Sequence, residues 1–171
     1  NIKINNSEPY QLFIKKYNAA LFNKEENIEA VAISSFNKDL KEVHSRFVNL
    51  KYIKNTEWIF FSNYESQKSK DFDTHNQITA VFFWRSIKTQ IILKANIKKT
   101  NTNFSDMHFM KRTHAKNSLS LSSNQSNIID SYEEVINKYN KIFNTSDTLD
   151  RPSYWGGFSF IPYYFEFWDG H

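Results

Sequence analysis

Between Ile28 and Lys98 the chain presents one short strand-type segment after another, with brief polar breaks between them. Ile28 to Phe36 carries Val31 and Ile33, and Asn37-Lys38-Asp39 then reads as a turn. Glu42 to Ile53 is the next strand, and Trp58 to Ser62 the third. Gln77 to Trp84 is almost unbroken apolar sequence, as in a buried barrel strand. In Lys88 to Lys98, Ile91, Leu93 and Ala95 alternate with Ile92 and Lys94. About six strands at such short spacing predict an antiparallel barrel rather than a parallel sheet. The expected class is mainly β with flanking helices, in one domain over residues 1–171.

Helices are expected on either side of this block. Residues 8 to 24 form the first, with Pro9 in the first turn and Leu12, Phe13, Tyr17, Ala20 and Leu21 near one face. It reads as packed on the sheet, with a lid or dimer arm as the functional alternative. Ser66 to Phe72 is a short helix with Ser66 as N-cap, and its N-terminal amides would suit a phosphate. Asn103 to Asn127 is polar and helical, with an N-terminus at Ser105-Asp106. Ile128 to Phe143 has the apolar spacing of an amphipathic helix. After a loop from Asn144 to Ser153, the chain finishes in two strand pieces separated by Pro162.

Composition narrows the chemistry. The three glycines, Gly156, Gly157 and Gly170, cannot build a dinucleotide-binding turn or a Walker loop, so any phosphate must be held mainly by side chains and ordinary strand or helix-end amides. There is no cysteine, which excludes disulfides, thiolate metal sites and a cysteine nucleophile. The five histidines, His44, His75, His108, His114 and His171, lack zinc-ligand spacing. A net charge of +4 suits an anionic small molecule or nucleic acid, but the cations do not form the stripe that nucleic acid requires. The longest apolar run, Ala80 to Trp84, is far too short to cross a bilayer. No signal peptide is visible, and a cytoplasmic enzyme is expected. The first residue is Asn1 rather than Met, so part of the gene product is expected to be missing.

Arg46 to Lys68 concentrates the candidate site. Arg46 and Lys51 bracket a segment with Phe47, Val48 and Leu50; a turn at Lys54-Asn55-Thr56-Glu57 follows, and Lys68 lies just past the next strand. Hairpin pairing would draw these cations toward one phosphate-sized region; an ordinary surface hairpin with solvated ends is the plain alternative. The stretch resembles the flavin-binding core of the pyridoxamine 5′-phosphate oxidase family. There an Arg-x-Val-x-Leu-Lys strand precedes a Phe-(Phe/Tyr)-(Thr/Ser)-Asn strand end and a Ser-Arg-Lys corner, here Ser66-Gln67-Lys68. Further matches follow in order: Gln90, the pair Gln125-Ser126, Arg151-Pro152 with Trp155-Gly156-Gly157, and Trp168 in Glu166-Phe167-Trp168.

The resemblance implies an FMN-binding split β-barrel, antiparallel, acting as a homodimer with flavin mononucleotide (FMN) as cofactor. It implies a flavin site of Arg46, Phe47, Val48, Asn49, Leu50, Lys51, Phe61, Ser62, Gln67, Lys68, Gln90, Gln125, Ser126 and Trp168, with Arg46 and Lys68 on the phosphate. It implies oxidation of pyridoxine or pyridoxamine 5′-phosphate to pyridoxal 5′-phosphate by molecular oxygen, with Lys51 and Arg112 on the substrate phosphate. The partner would be a phosphorylated vitamin B6 compound, with neither nucleic acid nor membrane involved.

The sequence also departs from the family. His108 stands where the family has Tyr and Lys116 where it has Ser, both on the substrate side. Gln67 replaces a common Arg, and Thr89 precedes Gln90 where Arg is common. The family continues past Glu-Phe-Trp to an Arg-Leu-His-Asp-Arg tail, whereas this sequence stops at His171; either the tail lies beyond it or the protein lacks those groups. These departures support a second reading, a flavin-binding barrel with another ligand or a reductase activity.

Overall fold

In the computed structural model, residues 2–123, 125–145 and 149–170 are described. The chain divides into two compact units. The first holds the residues up to Phe61, Asp71–Lys98 and Phe158 onward; the second holds Ser62–Lys70 and Lys99–Gly157. His171 and part of the loop expected from Asn144 to Ser153 lie outside the described residues.

The first unit is built on an eight-stranded sheet. Its strands are β1 (Ile2–Ile4), β2 (Ala30–Asn37), β3 (Glu42–Asn49), β4 (Tyr52–Asn55), β5 (Glu57–Asn63), β6 (Gln77–Trp84), β7 (Thr89–Lys99) and β8 (Trp155–Asp169). Their spatial order is β1-β4-β5-β8-β7-β6-β2-β3. The β2–β3, β2–β6, β4–β5 and β6–β7 pairs are antiparallel. The short β1 adds a parallel pairing with β4 that the sequence did not announce.

The sheet's inward face explains the alternation in the sequence. Val31 and Ile33 of β2, Ala80 and Phe82 of β6, and Ile91 and Leu93 of β7 are buried while their neighbours are more exposed. Helix α1 (Glu8–Phe22) packs there through Phe13, whose ring meets Trp58 edge-on at 4.4 Å and Phe82 at 5.5 Å. Full burial of such a side chain contributes about 1.5–3 kcal/mol. Leu21, expected on the packed face, is instead exposed near the end of the helix.

Two strand expectations need correction. Glu42 to Ile53 is not one strand, because the chain changes neighbours in the middle. Leu50 N still donates to Glu29 O beside β2, but Lys51 N donates to Ile59 O and opens the β4–β5 ladder. Arg46 therefore pairs with Ile33 of β2. The hairpin is instead β4–β5, closed where Lys54 faces Glu57 and Asn55 adopts a left-handed φ of 56°, which Asn tolerates. Similarly, the two final strand pieces are one strand, β8, running through Pro162. Proline's φ is compatible with an extended chain, so it removes a donor without turning the strand.

In the second unit, helix boundaries follow their caps. Asn101 Oδ1 accepts from Phe104 N at 2.7 Å, so α3 (Thr102–Lys111) starts before the expected Ser105-Asp106. Thr113 caps α4 (His114–Ser122) by accepting from Lys116 N. Ser131 Oγ accepts from Glu134 N at 3.1 Å, which sets the start of α5 (Tyr132–Thr145) four residues after the expected Ile128. The short helix α2 (Gln67–Thr74), whose residues from Asp71 on belong to the first unit, follows Ser66 as expected, but the Ser66 hydroxyl donates back to Asn63 O instead of capping the helix.

Candidate functional site

Three polar clusters collect most of the residues singled out in the sequence. The first lies in the sheet unit around Arg46. Alternation along β3 turns His44, Arg46 and Val48 inward and leaves Phe47 and Asn49 exposed. The Arg46 guanidinium donates from Nη1 to Ser35 Oγ at 2.6 Å and Ile33 O at 3.3 Å, and from Nη2 to Asp71 Oδ2 at 3.2 Å. Burial pushes the guanidinium below the usual arginine range, and the bond and charge of Asp71 oppose that shift.

Asp71 itself is fully buried, at 0% exposure. Its Oδ2 also accepts from Ser35 Oγ at 2.7 Å and lies 3.1 Å from His44 Nδ1, while Oδ1 accepts from Asn37 Nδ2 at 3.0 Å. A buried carboxylate requires such partners. The sequence reading missed Asp71, although a signal existed. Ser35 and Asn37 occupy inward positions of β2 where Val31 and Ile33 set an apolar rhythm, and buried polar side chains in such a row need a polar partner.

The second cluster is in the helical unit, at the start of α2. Lys68 is only 8% exposed. Its ammonium donates to Ser66 Oγ at 3.1 Å and to Gln125 Oε1 at 3.2 Å. Ser62 Oγ donates to the same Gln125 oxygen at 3.2 Å, and Gln67 N donates to Ser126 Oγ at 3.4 Å. Ser126 takes a left-handed φ of 69°. Ser62 and Gln125, 63 positions apart, thus meet at one buried cation, and the main-chain bond from Gln67 to Ser126 ties the neighbouring residues together.

The third cluster, also in the helical unit, centres on Arg112 at the end of α3. Its guanidinium donates to Asn117 Oδ1 at 3.0 Å, Ser120 Oγ at 2.9 Å and Lys116 O at 3.1 Å. It lies 4.4 Å over the Trp155 ring and 5.7 Å from that of Phe109. Among the described residues no carboxylate pairs with it, and burial alone pushes it below the usual arginine range. A cation fixed by neutral acceptors and an aromatic platform is suited to an anion. His108 lies nearly parallel to the same tryptophan, at 7° and 6.2 Å. The Lys116 side chain lines a groove of about 370 Å³ between α4 and α5, with Leu119, Tyr132 and Ile136. Trp155 was noted only within a matching motif; its role as a platform depends on the fold.

The remaining candidates are in the sheet unit. Lys51 is ion-paired with Glu29. Leu50 is half-buried where β3 gives way to β4, and Phe61 meets Tyr52 edge-on at 6.2 Å. Gln90 pairs with Phe83 across β6–β7. A hydrogen bond from Gly170 N to Lys88 O aligns the ends of β7 and β8, bringing Trp168 level with Gln90. Phe47, Phe83 and Trp168 share the outward face and are 76%, 61% and 60% exposed. No group of three metal-ligating side chains occurs among the described residues, and no helix there is long and apolar enough to cross a membrane.

No protein-family model matches the chain. It is 34% identical over 166 residues to a pyridoxine/pyridoxamine 5′-phosphate oxidase of Christiangramia forsetii, covering 95% of this chain and 77% of that protein. Among solved structures it is similar to PhzG of Burkholderia lata in complex with tetrahydrophenazine-1-carboxylic acid. The TM-score there is 0.91 at 21% identity, covering 96% of this chain and 81% of that one. It is also similar to a pyridoxamine 5′-phosphate oxidase-related, FMN-binding protein of Nostoc punctiforme, with a TM-score of 0.74 at 8% identity over 95% of this chain and 86% of that one. The structural likenesses show the expected fold, an FMN-binding split barrel, mainly β with flanking helices. By its sequence, the chain belongs to the pyridoxine/pyridoxamine 5′-phosphate oxidase family.

Proposed function

We propose that the chain binds FMN and oxidises pyridoxine or pyridoxamine 5′-phosphate to pyridoxal 5′-phosphate. The observation that carries this reading is the buried Lys68 ammonium held by Gln125, which Ser62 shares, with Gln67 bonded to Ser126 in the adjoining turn. The donor set suits the cofactor. Arg46 in the sheet unit and Lys68 in the helical unit are each a cation of the type its phosphate requires, and Arg46 keeps N–H donors on Nε and Nη2 that no described residue uses. The amides of Gln90 and Gln125 offer both donors and acceptors to a flavin edge.

A bound flavin supplies the hydride acceptor, and oxygen takes up the electrons as hydrogen peroxide. The chain's own part is to bind and orient. Arg112, held in plane by Asn117, Ser120 and Trp155, anchors the substrate phosphate. A second copy of the chain covers the outward sheet face of Phe47, Phe83 and Trp168, since an apolar face of this kind marks an interaction surface. Purified protein loaded with FMN should convert pyridoxine 5′-phosphate to pyridoxal 5′-phosphate with release of peroxide. Retention of FMN without any conversion would refute the oxidase reading and favour a flavin barrel with another ligand. That second reading draws on the stacking of His108 on Trp155 and on Lys116 lining the α4–α5 groove.

A further inference from the structure

We propose that Asp71 is a positioning residue for cofactor phosphate: it fixes the Arg46 guanidinium so that its unused donors face the anion. The inference rests on the reading that Arg46 holds that phosphate. Arg46 has five N–H donors; both on Nη1 and one on Nη2 go to Ile33, Ser35 and Asp71. Ser35 is shared, accepting from Arg46 and donating to the same Asp71 oxygen that Arg46 reaches. Asn37 and His44 hold the carboxylate from two further directions, and the carboxylate is completely buried. A planar guanidinium gripped on one side has little freedom left, and the donors on Nε and Nη2 are presented without the entropy loss a free arginine would incur. On this reading Asp71 acts on the cofactor through Arg46.

The test is titration of FMN and of riboflavin, which lacks the phosphate, into the wild type, Asp71→Ala, Asp71→Asn, Arg46→Ala and the Arg46→Ala/Asp71→Ala double variant. Asp71→Ala should weaken FMN binding about tenfold while riboflavin binding stays within about twofold, as expected for one misplaced charge-assisted contact. Asp71→Asn should recover most of the affinity, because its amide oxygen still accepts from Arg46. Adding Asp71→Ala to Arg46→Ala should change FMN affinity no further, since the group it positions is gone. Equal weakening of FMN and riboflavin, tighter FMN binding in Asp71→Ala, or an undiminished effect in the double variant would overturn the proposal. If Arg46→Ala weakens FMN and Asp71→Ala does not, only the role of Asp71 fails. If Arg46→Ala leaves FMN affinity unchanged, the reading of Arg46 as the phosphate cation fails. Should Asp71→Ala not fold, Ser35→Ala takes its place. An FMN-specific loss of about threefold supports the positioning, and wild-type affinity refutes it.

Discussion

Arg46 and Arg112 are both partly buried arginines, yet they are held in opposite ways. Arg46 rests against a buried carboxylate, so the pair carries almost no net charge and its geometry is fixed in advance. Arg112 is held by an amide, a hydroxyl, a main-chain carbonyl and the face of Trp155, so its charge remains uncompensated among the described residues. The difference suits different tasks. A cofactor that stays bound benefits from preset geometry at modest electrostatic strength. A phosphorylated substrate that enters and leaves benefits from a full positive charge in a partly desolvated place, where an ion pair gains most.

The comparison is sharpest at Arg112. On the proposed reading, Arg112→Ala lowers kcat/KM for pyridoxine 5′-phosphate about a hundredfold, the scale of losing charge-assisted contacts, and leaves FMN affinity unchanged. Steady-state kinetics beside an FMN titration reads both; a loss of FMN without a kinetic loss would exchange the two roles. Arg46→Ala should weaken FMN about thirtyfold, because the preset cation is removed outright, with little change in substrate KM once FMN saturates. Trp155→Leu removes the platform but keeps the hydrogen bonds of Arg112, so KM for the phosphorylated substrate should rise about five- to tenfold. The smallest effect is expected at Lys51, whose exposed pairing with Glu29 resembles neither arginine. Lys51→Ala should change stability in a denaturant melt by less than about 1 kcal/mol.

Much of the fold was legible because its periodicity is local. The apolar alternation of β2 and β7 and the run of β6 stand in the sequence, and β6 spans Gln77 to Trp84 as expected. What failed were points where a non-local partner decides. Leu50 and Lys51 look like the middle of a strand, but Leu50 hydrogen-bonds to Glu29 just before β2 and Lys51 to Ile59 of β5. Pro162 looks like a break, yet β8 runs through it. Caps such as Ser131 and Asn101 were readable in principle but lost to longer apolar patterns.

The candidate site divides along the same line. Lys68 stands out as a cation beside a strand, and Gln125 and Arg112 are named through the family resemblance. For Asp71 the inward Ser35 and Asn37 signal only that some polar partner is needed; which one depends on the fold, because Ser35, Asn37, His44 and Arg46 lie 25 to 36 positions away. Trp155 likewise gains its meaning only when Arg112 and His108 are seen against its ring.

The most direct test of the proposed activity is anaerobic mixing of the FMN-loaded protein with pyridoxine 5′-phosphate, followed by visible absorbance. The account predicts that the flavin band bleaches as pyridoxal 5′-phosphate appears, and that admitting oxygen restores it with release of peroxide. A flavin band that persists unchanged at saturating pyridoxine and pyridoxamine 5′-phosphates would contradict the oxidase reading.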